Sequence, residues 1–101
     1  MKILHLNVKK KWFDLYARGE KPIEYRTANA YWYSRLYKNG FIQFDEIHIK
    51  NGYARKGKPS PIIKFKHKTT TIDLVDHPET HKREMCFLIY VGEILYLYWG
   101  G

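Results

Sequence analysis

A chain of 101 residues has room for one modest core, so residues 1–101 are expected to form a single domain. Aromatic residues make up 17%, with nine Tyr and three Trp, which excludes an intrinsically disordered chain. The formal charge of +8 sets up a positive field that attracts polyanions, nucleic acid first and anionic membrane second.

Ile3 to Val8 reads as a strand, with Leu4, Leu6 and Val8 on one face and His5 and Asn7 on the other. Lys9 to Arg18 reads as a helix, because Trp12, Leu15, Tyr16 and Gly19 recur at helical spacing. Gly19 suits the left-handed residue that ends it. Lys9-Lys10-Lys11 falls at the positive end of the helix dipole. Such a cluster is either an anion site or a set of solvated lysines. Pro22 breaks the pattern, and Ile23 to Arg26 is extended. Tyr31 to Lys38 is a second short helix closed by Asn39-Gly40.

From Phe41 onward the period changes to that of strands. Phe44 to Lys50 is a strand, and residues 54–61 form a loop. Ile62 to Lys68 alternates, with Ile63, Phe65 and His67 on one face and Lys64, Lys66 and Lys68 on the other. Thr69 to Val75 is β-branched and reads as the return strand of a hairpin. Asp76 to Glu84 is polar. Met85 to Val91 and Glu93 to Trp99 read as two strands around Gly92, apolar enough for burial on both faces. Trp12 and Trp99 are expected in the core. Helices early and strands late indicate α+β, and short strands close economically into a small, partly open β-barrel.

A lone Cys86 excludes an internal disulfide. Residues 1–8 are too short and polar for a signal peptide, and no apolar stretch reaches spanning length. A soluble cytoplasmic protein without a membrane partner is the expectation. His77-x-x-x-His81 with Cys86 does not complete a zinc site, so neither metal nor cofactor is expected.

The chemistry concentrates in residues 19–26, Gly-Glu-Lys-Pro-Ile-Glu-Tyr-Arg. Lys21 and Arg26 supply positive charge and Glu24 a carboxylate. On an extended segment Glu24 and Arg26 share a face. Tyr25, Tyr31, Trp32 and Tyr53 offer stacking surfaces for bases. Arg35, Asn51, Lys64, Lys66 and the loop Arg55-Lys56-Gly57-Lys58 are further candidates for ligand or phosphate contact.

In order, Leu4-His5-Leu6-Asn7, Lys11-Trp12-Phe13-Asp14, Gly19-x-Lys21-x-x-Glu24-Tyr25-Arg26, Tyr31-Trp32-x-x-Arg35-Leu36 and Asn51-Gly52-Tyr53 resemble the ASCH domain. The pattern is most similar to the small phage and prophage branch of that family. The resemblance implies a PUA-like fold: a small, partly open β-barrel of about five to six strands with two short helices. It also implies that the 19–26 segment lines a cleft between the first helix and the barrel. RNA or nucleotide binding is the implied role. A hydrolase acting on RNA or a modified nucleoside is an alternative, with Lys21 and Glu24 as its catalytic acid/base pair. A phage protein that blocks a host protein factor is another. The amidohydrolase branch of the family uses a Lys, a Thr three residues later and a distant Glu. Lys21 matches that lysine, Glu24 stands at the threonine position, and Thr27 lies nearby at a different spacing.

Overall fold

The computed structural model describes residues 1–52 and 57–99. Chain order is β1 (Ile3–Val8), α1 (Lys10–Ala17), β2 (Ile23–Thr27), α2 (Ala30–Leu36), β3 (Glu46–Asn51), β4 (Ile62–Asp76) and β5 (Arg83–Tyr98). The fold is α+β, as expected. Five strands form one mixed sheet in the order β1-β3-β4-β5-β2. β1 and β3 run parallel and the other neighbours antiparallel. The sheet is not closed into a barrel: β1 and β2 are its edges, and no ladder joins them among the described residues.

The main correction concerns the second half of the chain. A turn at Lys68/Thr69 and a strand break at Gly92 are expected from sequence, yet β4 runs 15 residues and β5 16. Register shifts occupy those positions instead, between Lys64 and Phe65, Phe65 and His67, and His67 and Thr69. A β-bulge adds a residue to one strand, bends it and raises its twist. His67 pairs with Val91 but Phe65 with Ile94, so the extra residue opposite Lys66 lies at Gly92-Glu93. A side chain at Gly92 is crowded, because its Cβ would lie 3.2 Å from the Lys66 carbonyl oxygen. The chain reverses later, in the polar segment 77–82, where the His77 N–H bonds the Lys82 carbonyl at 2.9 Å.

These bends divide the long hairpin. Ile62 to Lys66 at its base pairs with β3, and Cys86 to Tyr90 nearer its tip pairs with β2. Leu4, Leu6, Ile49, Phe65, Phe87 and Ile89 fill the concave side of the sheet, with Phe13 and Tyr16 of α1 and Leu36 of α2 packed on them. Within β5, burial of consecutive residues holds only for Cys86 to Ile89. Past Val91, β5 has no β2 partner, so Ile94, Leu95 and Tyr96 are exposed and Trp99 is 52% exposed rather than in the core. Trp12 is half-buried against the core.

α1 ends in a Schellman arrangement: Gly19, at φ 73°, bonds the Tyr16 carbonyl and Glu20 bonds that of Leu15. Its lysines pair with neighbours rather than converge. Lys10 meets Asp14 at 2.7 Å, Lys9 meets Glu79 at 3.7 Å, and Lys11 lies 4.5 Å from the Trp12 ring. α2 begins one residue before the expected start and stops two residues short; its Asn29 cap accepts the Trp32 N–H at 3.0 Å.

Candidate binding pocket

The turn at Gly19 and the start of β2 deliver Lys21, Glu24 and Arg26 to the edge of the sheet beside α1. Glu24 is buried, at 6% exposure. A carboxylate is tolerated there only if its oxygens are satisfied. Tyr16 of α1 donates its hydroxyl to Oε1 at 2.8 Å, while Nε (2.9 Å) and Nη2 of Arg26 both donate to Oε2. Burial pushes the Tyr16 phenol far above its usual range, reinforced by the charge and hydrogen bond of Glu24, so Tyr16 stays a donor.

Arg26 is thereby fixed. Its Nη2 also donates to the Asn7 carbonyl at 2.9 Å, which ties edge strand β2 to edge strand β1. Its guanidinium lies 4.9 Å from the Trp32 ring centroid. Nη1 makes no hydrogen bond among the described residues and remains as the donor available to a ligand.

Lys21 sits in an aromatic cage. Its ammonium lies 5.2 Å from the Trp12 ring, 5.3 Å from Tyr16 and 5.2 Å from Tyr25. It donates to the Ile23 carbonyl at 2.6 Å and lies 3.9 Å from Glu24. Burial pulls its pKa below the usual lysine value; Glu24 opposes that pull and Arg26 adds to it.

These groups line a pocket of about 480 Å³. Its walls are Asn7 and Val8 at the end of β1 with Lys9 after it, Trp12 of α1, Lys21 and Glu24 to Thr27 around β2, the Asn29 cap and Trp32 of α2, Gly52, and His77 to Glu79 of the β4–β5 turn. Of the residues singled out in sequence, Lys21, Glu24, Tyr25, Arg26 and Trp32 meet here. Arg35, Asn51, Lys58, Lys64 and Lys66 do not line it. Lys64 lies 5.1 Å from the Tyr96 ring, and Lys66 is ion-paired with Glu93 at 2.8 Å. Tyr53, Arg55 and Lys56 lie outside the described residues.

Sequence reasoning missed the β4–β5 turn. Glu79 accepts the Trp12 indole N–H at 2.6 Å and draws the turn over the pocket. Burial disfavours the Glu79 carboxylate, but that hydrogen bond together with Lys9, His77 and Lys11 holds its pKa below the usual value. A contact spanning 67 residues leaves no local signal in a polar segment. Thr27 was noticed only for its spacing. Its hydroxyl donates to Glu84 at 2.7 Å at the wall of the pocket.

His77, Glu84 and Cys86 offer ligand-type atoms within 4.8 Å of one another, and His81 is not part of the group. These atoms already have partners. His77 Nδ1 accepts the backbone N–H groups of Glu79 (3.1 Å) and Thr80 (3.4 Å), and Glu84 Oε1 accepts from Thr27 and Cys86. Burial and the nearby Glu84 push the Cys86 thiol up, away from the thiolate.

No family model, curated protein or solved structure matches the chain. The site's chemistry is therefore read from its own geometry. No helix among the described residues is long and apolar enough to cross a membrane.

Proposed function

We propose that the pocket binds a nucleotide unit of RNA. The observation that carries this reading is Arg26: held from behind by buried Glu24, laid on Trp32, and left with one uncommitted donor edge at the pocket wall. A guanidinium held this way can bond a phosphate or a base edge without first losing rotamer freedom. The indole and phenol rings of Trp32 and Tyr25 supply apolar surface for a base, and Asn7, Thr27 and Asn29 supply neutral polar groups. A volume of about 480 Å³ lies within the usual range for ligand sites, about 300–1,000 Å³. The net charge of +8 supports an anionic ligand.

The same reading treats the chain as an ASCH-like domain with a PUA-like arrangement. The ordered motifs between Leu4 and Tyr53, the small α+β sheet and a pocket beside α1 support it.

Calorimetric titration with nucleoside monophosphates tests the proposal. Arg26→Lys keeps the charge facing Glu24 but loses the planar fork. It is expected to weaken binding about tenfold to hundredfold while circular dichroism stays native. Unchanged affinity in this variant, or no binding by any monophosphate at low salt, overturns the proposal.

A hydrolytic second reading is favoured by one observation, the Thr27–Glu84 hydrogen bond at 2.7 Å. There Glu84 would accept the hydroxyl proton as Thr27 Oγ1 adds to an amide carbonyl, and return it to the leaving amine as the C–N bond breaks, so that water then hydrolyses the acyl-threonine. Glu24 suits an acid/base role less well, because both its oxygens are already engaged. Turnover of nucleoside amides that disappears in both Thr27→Val and Glu84→Gln, with circular dichroism native, is the expected result for that reading.

A further inference from the structure

The pocket continues onto the surface along α2 as a stack of alternating chemistry. Arg26 lies on Trp32 at 4.9 Å, Trp32 meets Tyr31 edge-to-face at 5.0 Å, and Arg35 lies over Tyr31 at 6.0 Å. Tyr31 and Arg35 are one helical turn apart, so α2 holds them on one flank. Tyr31 is 59% exposed, and its ring contacts among the described residues are with Trp32 and Arg35.

Positive charge also continues beyond Arg35. His5 on the outer face of β1 has its pKa lowered by burial first, and then by His48, Lys50 and Arg35. Lys50 of β3 and Arg35 of α2 therefore both lie close enough to act on His5. Glu46 on the same strand as His48 is turned onto that ring at 2.7 Å.

We infer that the ligand is a single-stranded RNA segment rather than an isolated nucleotide, with one nucleotide in the pocket and the next stacked on Tyr31 with its phosphate at Arg35. This inference rests on the pocket reading above. Bases of a duplex are paired and stacked and cannot reach either ring, whereas a single strand offers its π faces and its phosphates together. Lys64 and Lys66, the pair first suggested by sequence, lie on β4 outside the pocket lining, whereas α2 contributes Trp32 to that lining, so the path leaves the pocket over α2.

The test compares a nucleoside monophosphate with a fluorescein-labelled oligouridine of about five nucleotides, by anisotropy and calorimetry at low salt. The oligomer is expected to bind more tightly than the monophosphate. Tyr31→Ala and Arg35→Ala are expected to weaken the oligomer about 5- to 150-fold, the size of one base stack, and to leave the monophosphate unchanged. Tyr31→Phe is expected to restore oligomer binding. If the monophosphate binds but the oligomer gains nothing, or if Tyr31→Ala leaves the oligomer unaffected, the path over α2 is wrong and the pocket reading stands. Absence of binding by both ligands overturns the pocket reading and the path together. A deoxyribose oligomer that binds more tightly than its ribose counterpart overturns the choice of RNA.

Discussion

Glu24→Gln isolates the role of the buried carboxylate while keeping its shape. In the native chain Glu24 accepts three hydrogen bonds, from Tyr16 and twice from Arg26, and lies 3.9 Å from Lys21. The amide can retain one oxygen toward Arg26, and the Tyr16 hydroxyl can rotate to accept from the new NH₂. What disappears is the charge. Each Arg26 bond drops from an ion-pair hydrogen bond to one with a neutral acceptor, a loss of about 1 kcal/mol apiece. Two partly buried cations also lose their counter-charge, adding about 1 kcal/mol more, for a total of about 3 kcal/mol. Against an expected stability of about 5–15 kcal/mol the variant still folds. Its Tm should fall by roughly 12–24 °C, at about 4–8 °C per kcal/mol for a domain of this size. Urea denaturation at neutral pH measures the difference directly. A cost below about 0.5 kcal/mol, the range of ordinary surface substitutions, refutes the claim that Glu24 anchors Arg26.

Three further outcomes follow from particular contacts. His67 is buried, with Nδ1 accepting the Phe44 N–H at 2.9 Å and Nε2 bonded to Thr70 at 2.8 Å; burial lowers its pKa despite opposing backbone hydrogen bonds. The unfolded chain therefore takes up this proton first as pH falls. The contribution is complete above about 6.5 and is lost as pH drops through the folded value, and His67→Gln should flatten that loss in melts between about pH 8 and pH 5. Gly92→Ala places a Cβ 3.2 Å from the Lys66 carbonyl oxygen and should cost about 1–3 kcal/mol in urea denaturation, with the β5 bulge as the site of strain. Trp12→Phe keeps the ring but removes the 2.6 Å bond to Glu79; it should cost about 1 kcal/mol and raise amide exchange in residues 77–82, where the turn is tied to α1.

Local chemistry was legible from the chain alone. The alternation of Leu4, Leu6 and Val8, the helical spacing around Tyr16, the stop at Gly19 and the shared face of Glu24 and Arg26 all depend on neighbours within a few residues. They therefore appear in the sequence with their positions nearly correct. The breaks at Lys68/Thr69 and Gly92 were also visible, but a bulge and a turn interrupt alternation in the same way. Only pairing decides between them, and the pairing of His67 with Val91 and Phe65 with Ile94 makes them bulges.

The opposite holds for contacts made between distant segments. The sequence placed Tyr16 and Trp12 on a helix face; packing turned their polar tips to Glu24 and Glu79. It marked residues 76–84 as polar; the bent hairpin brought His77 to Glu79 over the pocket. It suggested Lys64 and Lys66 as phosphate contacts; the tertiary structure sets Lys64 beside Tyr96 and Lys66 beside Glu93, both outside the pocket lining. Residue type and spacing determined that Lys21, Glu24 and Arg26 would sit together on one short segment, and strand pairing made that segment an edge. Burial, which depends on what the whole chain packs against that edge, made Glu24 the anchor and left Nη1 of Arg26 without a hydrogen bond among the described residues.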